Sequence, residues 1–186
     1  MGQQLKYGDI KMNAVIGNPE ILRKIVKNVI DFDTQLQMCG VDLTVEKIVE
    51  FTNRDIRGTL DFDNTKRVIP TADERPRFRR DLHKLDDWSY FLSPGAYLVH
   101  YNEEVNIPEN VLGIVFPRSS LMRMGATLQS AVWDPGYNGK GCGLLIVHKN
   151  IEIWKNARIG QIIFLTTDAK ITYKGIFQNE RLEKED

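Results

Sequence analysis

The chain has 186 residues, which is long enough for one domain with a real hydrophobic core. Its 25 basic and 25 acidic residues cancel, so no net charge favours a nucleic acid or an anionic membrane as the main partner. Cys39 and Cys142 are too few for a disulfide framework, and neither an apolar leader nor a run of roughly 20 apolar residues is present. We therefore expect a single cytoplasmic domain, residues 1–186, that binds neither nucleic acid nor membrane.

The first predicted element is a helix in an N-terminal helical segment, residues 1–35. Asn18 suits the N-cap, Pro19 suits the first helical position, and Glu20 complements the positive end of the helix dipole. This pattern predicts one apolar helical face packed on the domain, because the following apolar residues recur at helical spacing: Ile21, Leu22, Ile25, Val26, Val29 and Ile30.

From Gly40 onward the pattern changes to short β-branched runs separated by turn residues. An all-β sandwich or barrel is the fold that this spacing favours. A charged arm, 54–88, interrupts the runs, and the mixed signs of its charges favour a solvated surface over a phosphate or RNA contact by its basic run 75–80. The polar tail 179–186 is predicted to be mobile. The six predicted strands are 41–51, 68–70, 96–101, 111–116, 143–148 and 158–166.

Two polar clusters carry the chemistry. Arg118, Ser119 and Ser120 together supply a forked guanidinium, two hydroxyl donors and backbone N–H groups, which suit the oxygens of a phosphate chain. Asp134 and Tyr137 follow within a glycine-containing stretch, where the backbone can turn sharply and approach a ligand. The two clusters predict a nucleotide site without a P-loop.

Four segments, in order, resemble the first four motifs of the trimeric dUTPase and dCTP deaminase superfamily. They are 40–43, 117–121, 134–139 and 158–162, and the resemblance covers the chain from about Gly40 to Phe177. It implies a distorted, jelly-roll-like β-barrel and a homotrimer with active sites between subunits. It also implies a deoxynucleoside triphosphate substrate with Mg²⁺.

The same resemblance implies roles for polar residues at the phosphates. Asp42 would lie near the magnesium and contact it through water, since a hard dication prefers oxygen ligands and keeps several waters. Arg118, Ser119 and Ser120 would cradle the phosphates, and Arg123 could add a second guanidinium. Gln161, three residues after Arg158, would bond a phosphate oxygen or a water.

At the sugar, the resemblance makes Asp134 the catalytic residue: it would touch the 3′-hydroxyl and orient the attacking water as a general base. Tyr137 would lie under the deoxyribose, where a ribose 2′-hydroxyl would clash. Backbone groups of the hairpin from Thr127 to Tyr137, which includes Gln129, would read the uracil. The Gly-rich fifth motif of the dUTPases is missing, and a reduced lid could come from Lys174, Phe177 and Gln178.

Two reactions occur on this family's scaffold, and position 144 separates them. The dCTP deaminases carry a proton-shuttling Glu ten residues after the motif-three Asp, and this chain has Leu144 there. The elements of a zinc deaminase are also absent. Hydrolysis needs only a positioned water, a base, magnesium and phosphate donors. We therefore expect a Mg-dependent diphosphatase that converts dUTP to dUMP and pyrophosphate.

Two alternatives stay open at this point. One is dCTP deamination, alone or coupled to diphosphatase activity, with an unrecognised proton shuttle. The other is a non-catalytic protein that binds a nucleotide, or another protein, as a regulator. An all-β scaffold with chance motifs is a weaker explanation, because the four segments occur in the family's order.

Overall fold

The computed structural model describes residues 14–52, 55–79 and 88–182. The start of the N-terminal segment, the end of the basic run in the charged arm and the last four residues of the polar tail therefore lie outside the described residues. Three short helices are found in the described part: α1 (Pro19–Ile25), α2 (Phe32–Gln35) and α3 (Ser119–Arg123).

Strands dominate the structure, and all their pairings within sheets are antiparallel. The described residues contain fourteen strands: β1 (Val26–Lys27), β2 (Leu36–Gln37), β3 (Gly40–Glu50), β4 (Asp73–Glu74), β5 (Phe78–Arg79), β6 (Trp88–Leu92), β7 (Gly95–Tyr101), β8 (Glu104–Asn106), β9 (Val111–Pro117), β10 (Ala126–Gln129), β11 (Asn138–Gly139), β12 (Cys142–Val147), β13 (Ile151–Trp154) and β14 (Arg158–Thr166).

The main sheet runs in the order β10-β12-β7-β3-β14-β9, with β2 and β4 added on β3. Its two end strands, β9 and β10, contact each other, so the sheet curls into a nearly closed barrel. Two three-stranded sheets, β1-β8-β11 and β13-β6-β5, complete the domain. The predicted mainly-β, jelly-roll-like barrel is confirmed.

Alternating burial along the strands places the core inside this barrel. On β12, Leu145 and Val147 are buried while Leu144 and Ile146 are only partly covered, as expected for a strand with one face on the core. Ile162 and Phe164 on β14 are fully buried from the opposite side. No helix among the described residues is long and apolar enough to cross a membrane.

The N-terminal helix is shorter than the apolar spacing predicts. Asn18 caps α1 as expected, since its side chain accepts hydrogen bonds from the Glu20 and Ile21 N–H groups. The helix then ends at Ile25, because Val26 takes an extended conformation and pairs with Val105 of β8. The prediction that the helix continues to Ile30 is wrong: sheet pairing outweighs helical periodicity here. Leu22 and Ile25 nevertheless pack into the core as predicted.

The charged arm contains little regular pairing. The predicted strand 68–70 is reduced to a single bridge between Thr59 and Val68. Basic side chains of the arm pair with acids: Arg75 lies 2.7 Å from Glu50, and Arg77 lies 2.7 Å from Glu74. These pairs agree with a solvated surface excursion, as the mixed charges indicate.

Candidate active site

A charged cluster lies where β3, β9 and β14 run side by side. We use this name for Asp42, Arg118 and Arg158. The Asp42 Oδ2 atom lies 3.0 Å from Arg118 Nε and 3.3 Å from Arg158 Nη1, so one carboxylate oxygen serves both guanidinium groups. β14 positions Arg158 through its pairing with Thr44 of β3, just before an irregularity in the register.

Asp42 is buried, whereas both arginines reach the surface. The Asp42 side chain is 2% exposed, and the side chains of Arg118 and Arg158 are 30% and 32% exposed. Burial raises the pKa of the Asp42 carboxyl, and the two nearby guanidinium groups oppose that rise. The cluster therefore has an inner carboxylate that holds its arginines in place and an outer, cationic side that can meet an anion.

The predicted phosphate-binding residues lie around this cluster. Arg118 is the N-cap residue of α3, and Ser119 and Ser120 form the exposed first turn of that helix. Arg123 is the exposed last residue of the same helix. Gln161 lies directly opposite Asp42 in the sheet and is half-buried. The structure thus gathers this predicted set at the end of β9.

A separate aromatic cavity of ≈ 350 Å³ contains the predicted catalytic residue. Asp134 lies on its wall and is exposed. The ring of Tyr137 packs edge-on between Trp133 and Tyr173, with centroid distances of 5.4 and 5.5 Å. This cavity is lined by Trp133, Asp134, Tyr137, Tyr173, Phe177, Glu180 and four smaller residues.

A tight turn places Asp134 and Tyr137 on the same wall. Trp133 exchanges two backbone hydrogen bonds of 2.9 Å with Gly113 of β9, which fixes the chain just before the turn. The Tyr137 N–H then donates to the Asp134 carbonyl at 3.1 Å. Gly136 has a φ of 80°, a left-handed conformation that favours glycine. The glycine-containing stretch seen in the sequence is therefore a turn at the cavity.

The segment after β14 crosses over this turn and forms the opposite wall. The Tyr173 N–H donates to the Pro135 carbonyl at 2.7 Å, and the Asn179 N–H donates to the Asn138 carbonyl at 2.8 Å. We call residues 173–182 the C-terminal segment. Tyr173 and Asn179 of this segment thus hold it against the turn that carries Asp134.

The predicted lid residues belong to this segment and differ in their contacts. The Gln178 amide donates to the Gly136 carbonyl at 3.0 Å and accepts from the Asn138 N–H at 3.2 Å. Phe177 lines the cavity, whereas Lys174 is exposed. Gln178 therefore fastens the segment to the turn, and Phe177 contributes to the cavity wall.

Arg181 fastens the far end of the C-terminal segment. Its guanidinium pairs with Glu46 of β3 and donates to the carbonyl groups of Lys140 and Gly141. The neighbouring Glu180 carbonyl accepts from the Lys140 N–H at 2.9 Å. Three residues of the predicted mobile tail, 179–181, are therefore hydrogen bonded to the domain, Leu182 bonds within the tail to Asn179, and 183–186 lie outside the described residues.

One protomer does not unite the two parts of the predicted site. Among the described residues, the cavity wall contains none of Arg118, Ser119, Ser120 and Gln161. Gln129 ends β10 opposite Leu144 and is not part of the wall either. The predicted phosphate-binding residues are thus absent from the wall of the cavity that contains the predicted sugar-binding residues.

Sequence reasoning missed three residues of the charged cluster and the cavity. Glu180 lines the cavity, where burial raises the pKa of its carboxyl and Arg181 opposes the rise. Tyr173 completes the aromatic wall. Arg158 joins Asp42 in an ion pair, and its only sequence signal is its place three residues before Gln161. Glu180 and Tyr173 reach the cavity by long-range contacts that leave no local pattern.

The described residues contain no group of three or more His, Cys, Asp and Glu side chains that could hold a metal ion. A protein cage for a metal is therefore not built here. Magnesium usually enters on substrate phosphates, keeps several waters and needs only one or two carboxylates. The Asp42 side chain is 2% exposed and pairs through Oδ2 with both arginines, so its water-mediated contact with magnesium stays a prediction from the sequence.

A solved structure shows the same fold. The crystal structure of 2′-deoxycytidine 5′-triphosphate deaminase from Agrobacterium tumefaciens superimposes with a TM-score of 0.56 and 19% sequence identity. The match covers 82% of this chain and 48% of that chain, so this chain spans about half the length of the solved protein.

Sequence relatives cover most of both chains. A probable deoxyuridine 5′-triphosphate nucleotidohydrolase of Halobacterium salinarum is 42% identical over 156 residues, which are 81% of this chain and 87% of the relative. A deoxyuridine 5′-triphosphate nucleotidohydrolase of Methanocaldococcus jannaschii is 45% identical over 148 residues, which are 78% and 88% of the two chains. The family described as dCTP deaminase-like matches residues 15–167. This chain belongs to the dCTP deaminase-like family.

Proposed function

We propose that this protein hydrolyses dUTP to dUMP and pyrophosphate. The observation that carries the proposal is the exposed Asp134 carboxylate on the wall of a cavity of ≈ 350 Å³ that also presents four aromatic side chains. Relatives that are 42% and 45% identical are named as deoxyuridine 5′-triphosphate nucleotidohydrolases, which supports the same reaction. The predicted hydrolase activity and the preference over deamination both follow from this assignment.

In the proposed reaction, Asp134 orients a water and takes a proton from it. The water oxygen forms a bond to phosphorus while the P–O bond between the α- and β-phosphates breaks, and pyrophosphate leaves. Arg118, Ser119 and Ser120 bind the phosphate oxygens, and Gln161 adds a hydrogen bond. The exposed sides of the two guanidinium groups in the charged cluster supply the positive charge that the leaving group needs.

Mg²⁺ is the proposed cofactor, and its chemistry is to neutralise charge on the phosphate oxygens. Asp42 is the residue that would hold it through water. Arg158 and Arg118 keep the Asp42 carboxylate in a fixed position, because both pair with its Oδ2 atom. The chain thus needs no metal cage of its own.

The cavity is suited to the neutral part of the nucleotide. Its wall offers aromatic rings and the carboxylates of Asp134 and Glu180 but contains no Lys or Arg. A sugar and a base, with their O–H and N–H donors, match this wall better than phosphates do. The Tyr137 ring supports the deoxyribose and excludes a 2′-hydroxyl, and backbone groups of the hairpin from Thr127 to Tyr137, whose last residues line the cavity, read the uracil.

The proposed assembly is a homotrimer whose sites form between subunits, with Arg118 and Asp134 of one site supplied by different protomers. Two impaired variants, Arg118→Ala and Asp134→Asn, test this arrangement at low substrate concentration because each damages a different half of the site. Mixing the two after reversible dissociation restores activity if the halves come from different chains. Mixtures as inactive as the parents, with a trimer shown by light scattering, would contradict the shared site.

The activity itself is tested with pure protein, dUTP and magnesium. Pyrophosphate and dUMP are expected in equal amounts, and UTP should react far more slowly. Incubation with dCTP, followed for ammonia, examines the other reaction of the family in the same experiment. Release of ammonia without any pyrophosphate from dUTP would overturn the assignment. A cytoplasmic location and the absence of nucleic-acid and membrane partners stay predictions from the sequence.

Deamination of dCTP is a second candidate, and Glu180 is the observation that favours it. The deaminase position holds Leu144, which cannot carry a proton, but the Glu180 carboxyl lies on the cavity wall with a pKa raised by burial. It could therefore exchange protons with a bound base. Ammonia release from dCTP that disappears in Glu180→Gln but persists in Lys174→Ala, an exposed neighbour, would support this function.

A further inference from the structure

Glu103 is a fully buried carboxylate that belongs neither to the charged cluster nor to the cavity. It lies just before β8, and all of its described hydrogen bonds come from neutral donors. Its Oε1 atom accepts from the Gln35 amide at 2.7 Å and from the Thr44 hydroxyl at 2.6 Å, and its Oε2 atom accepts from the Thr44 N–H at 2.9 Å. Burying a carboxylate without a cation is costly, so its position calls for an explanation.

Gln35 links this carboxylate to the charged cluster. Its side chain is 2% exposed, and its amide nitrogen donates both to Glu103 and to the Asp42 carbonyl, the latter at 2.8 Å. Its amide oxygen accepts from the backbone N–H groups of Ile30 and Asp31. The hydrogen-bonding capacity of the amide is thus fully used, which locks the side chain in one orientation.

The residue before Gln35 reaches the cluster from the other side. The Thr34 carbonyl accepts a hydrogen bond of 2.7 Å from Arg158 Nη1, the same atom that lies 3.3 Å from Asp42 Oδ2. One short stretch of α2 therefore holds Asp42 by its backbone and Arg158 by its guanidinium. Arg118 pairs with the same Asp42 Oδ2 atom, so its position depends on the contacts that hold Asp42 and Arg158.

We infer that Gln35 and Glu103 are positioning residues that hold the Asp42–Arg118–Arg158 cluster in the geometry required to bind the β- and γ-phosphates of the substrate. This inference rests on the proposed function, because it takes Arg118 as a phosphate ligand. Gln35 and Glu103 touch no substrate themselves; they act through the backbone of β3 and the Arg158 side chain. A loss of their contacts displaces the guanidinium groups, and small displacements of such groups have large effects on binding and rate.

The test compares two ligands that differ only in the outer phosphates. Affinities of the full-length protein for a non-hydrolysable imido analogue of dUTP and for dUMP are measured by calorimetry. Gln35→Met removes the amide donors and keeps the shape of the side chain. We expect about tenfold weaker binding of the triphosphate analogue and dUMP binding within about twofold of the parent protein. Equal losses for both ligands, or no loss for the analogue, would overturn the inference.

A double variant separates positioning from a purely structural role. Gln35→Met alone leaves Glu103 buried with fewer donors and lowers the melting temperature, whereas Gln35→Met combined with Glu103→Met removes the buried charge and recovers part of that loss. The Asp42 carbonyl still lacks its donor, so triphosphate binding stays weak. Recovery of affinity together with stability would show that the network serves the fold alone. If Gln35→Met fails to fold, the shorter amide of Gln35→Asn replaces it in the same comparison.

Two further variants complete the design. Ser89→Ala removes a buried hydroxyl that donates to Glu152. Both residues lie in the sheet β13-β6-β5 and not in the main sheet that carries the charged cluster. The variant should therefore lower stability without changing the ratio of the two affinities. Arg118→Ala should weaken the triphosphate analogue strongly. If Arg118→Ala has no effect on the analogue, the proposed phosphate site itself is wrong. If Arg118→Ala weakens the analogue but Gln35→Met does not, only the positioning role is refuted.

Discussion

The charged cluster and the aromatic cavity each contain a key carboxylate, and the two are held in opposite ways. Asp42 is almost completely buried between two guanidinium groups, whereas Asp134 is exposed on the cavity wall. A paired, buried carboxylate fixes its partners and cannot easily accept a proton from a substrate water. An exposed one at a turn can. This difference is why we propose the cluster as the phosphate-binding part of the site and Asp134 as the base.

The largest expected effect is a loss of activity when the exposed Asp134 carboxylate is replaced. Asp134→Asn should lower kcat by about 100- to 10,000-fold, because an amide cannot take the proton from water. Its melting temperature should hardly change, since the side chain is exposed. Steady-state pyrophosphate release and thermal unfolding measure the two quantities. Activity close to that of the parent protein would place the base elsewhere and would favour a regulatory, non-catalytic protein.

The next effect belongs to the charged cluster. Arg118→Ala removes a charged hydrogen-bond donor from the phosphates, and we expect triphosphate binding to weaken by about 10- to 150-fold. It also leaves Asp42 buried with one guanidinium fewer, so the protein should lose stability, unlike Asp134→Asn. Arg118→Lys should lie between, because it keeps the charge but loses the fork.

Arg123→Ala is the comparison variant for this experiment, since Arg123 is a second predicted phosphate-binding residue that is exposed at the end of the same helix. Titration of the imido analogue and chemical unfolding provide the measurements. Arg118 is held by buried Asp42. If Arg118→Ala and Arg123→Ala weaken binding of the analogue equally, the contact with Asp42 gives Arg118 no special role in phosphate binding.

Tyr137 distinguishes packing from recognition within the cavity. Tyr137→Ala should destabilise the protein by about 3 kcal/mol or more, because a buried ring between two aromatic neighbours is lost. Tyr137→Phe should change stability less, since it keeps the buried ring and removes only the hydroxyl. The ratio of kcat/KM for dUTP over UTP should fall for the Ala variant and stay high for the Phe variant. Equal dUTP/UTP ratios of kcat/KM in the Ala and Phe variants would show that the Tyr137 ring does not select the sugar.

The smallest effect is a pH dependence on the cavity side of the barrel. His100 pairs with Cys142 of the cavity wall, and burial, followed by the charges of Arg181 and Lys47, lowers the pKa of His100 to about 4. The unfolded chain binds this proton near the ordinary value of 6.5, so the unfolded state binds more protons as the pH falls from 6.5 towards 4. Stability is therefore complete above this window and declines within it.

Urea unfolding at several pH values tests the sign. His100→Gln should flatten the acid limb of the curve, because it removes the imidazole whose pKa the fold lowers. An identical acid limb in His100→Gln would assign the acid sensitivity to another group.

Strands were more predictable than the end of the helix, for a physical reason. The last long strand has the predicted bounds, Arg158–Thr166, because alternation of apolar residues and flanking turn residues are local signals. The extension of α1 to Ile30 was wrong because Val26 finds a strand partner, Val105, far along the chain. The spacing of apolar residues near Val26 contains no information about a strand partner as distant in the chain as Val105.

The candidate site divides in the same way. Arg118 and Asp134 stand in contiguous motifs, and the sequence was sufficient to select them as candidates. The Arg158–Asp42 pair joins residues that are far apart in the chain, and Glu180 reaches the cavity wall because the C-terminal segment crosses the turn. No short sequence pattern contains either arrangement. The structure alone could add them, and their roles are now open to experiment.

The C-terminal segment docks on the turn mainly through main-chain atoms of that turn. The acceptors at Pro135, Gly136 and Asn138 are carbonyl groups, and the donors at Asn138 and Lys140 are amide N–H groups. Carbonyl groups occur in every amino acid, so many residue exchanges in the turn would preserve this docking. The side chains of the turn and of the C-terminal segment can therefore change in evolution while the two stay hydrogen bonded. The residues that line the cavity can then change without a change in the backbone that supports them.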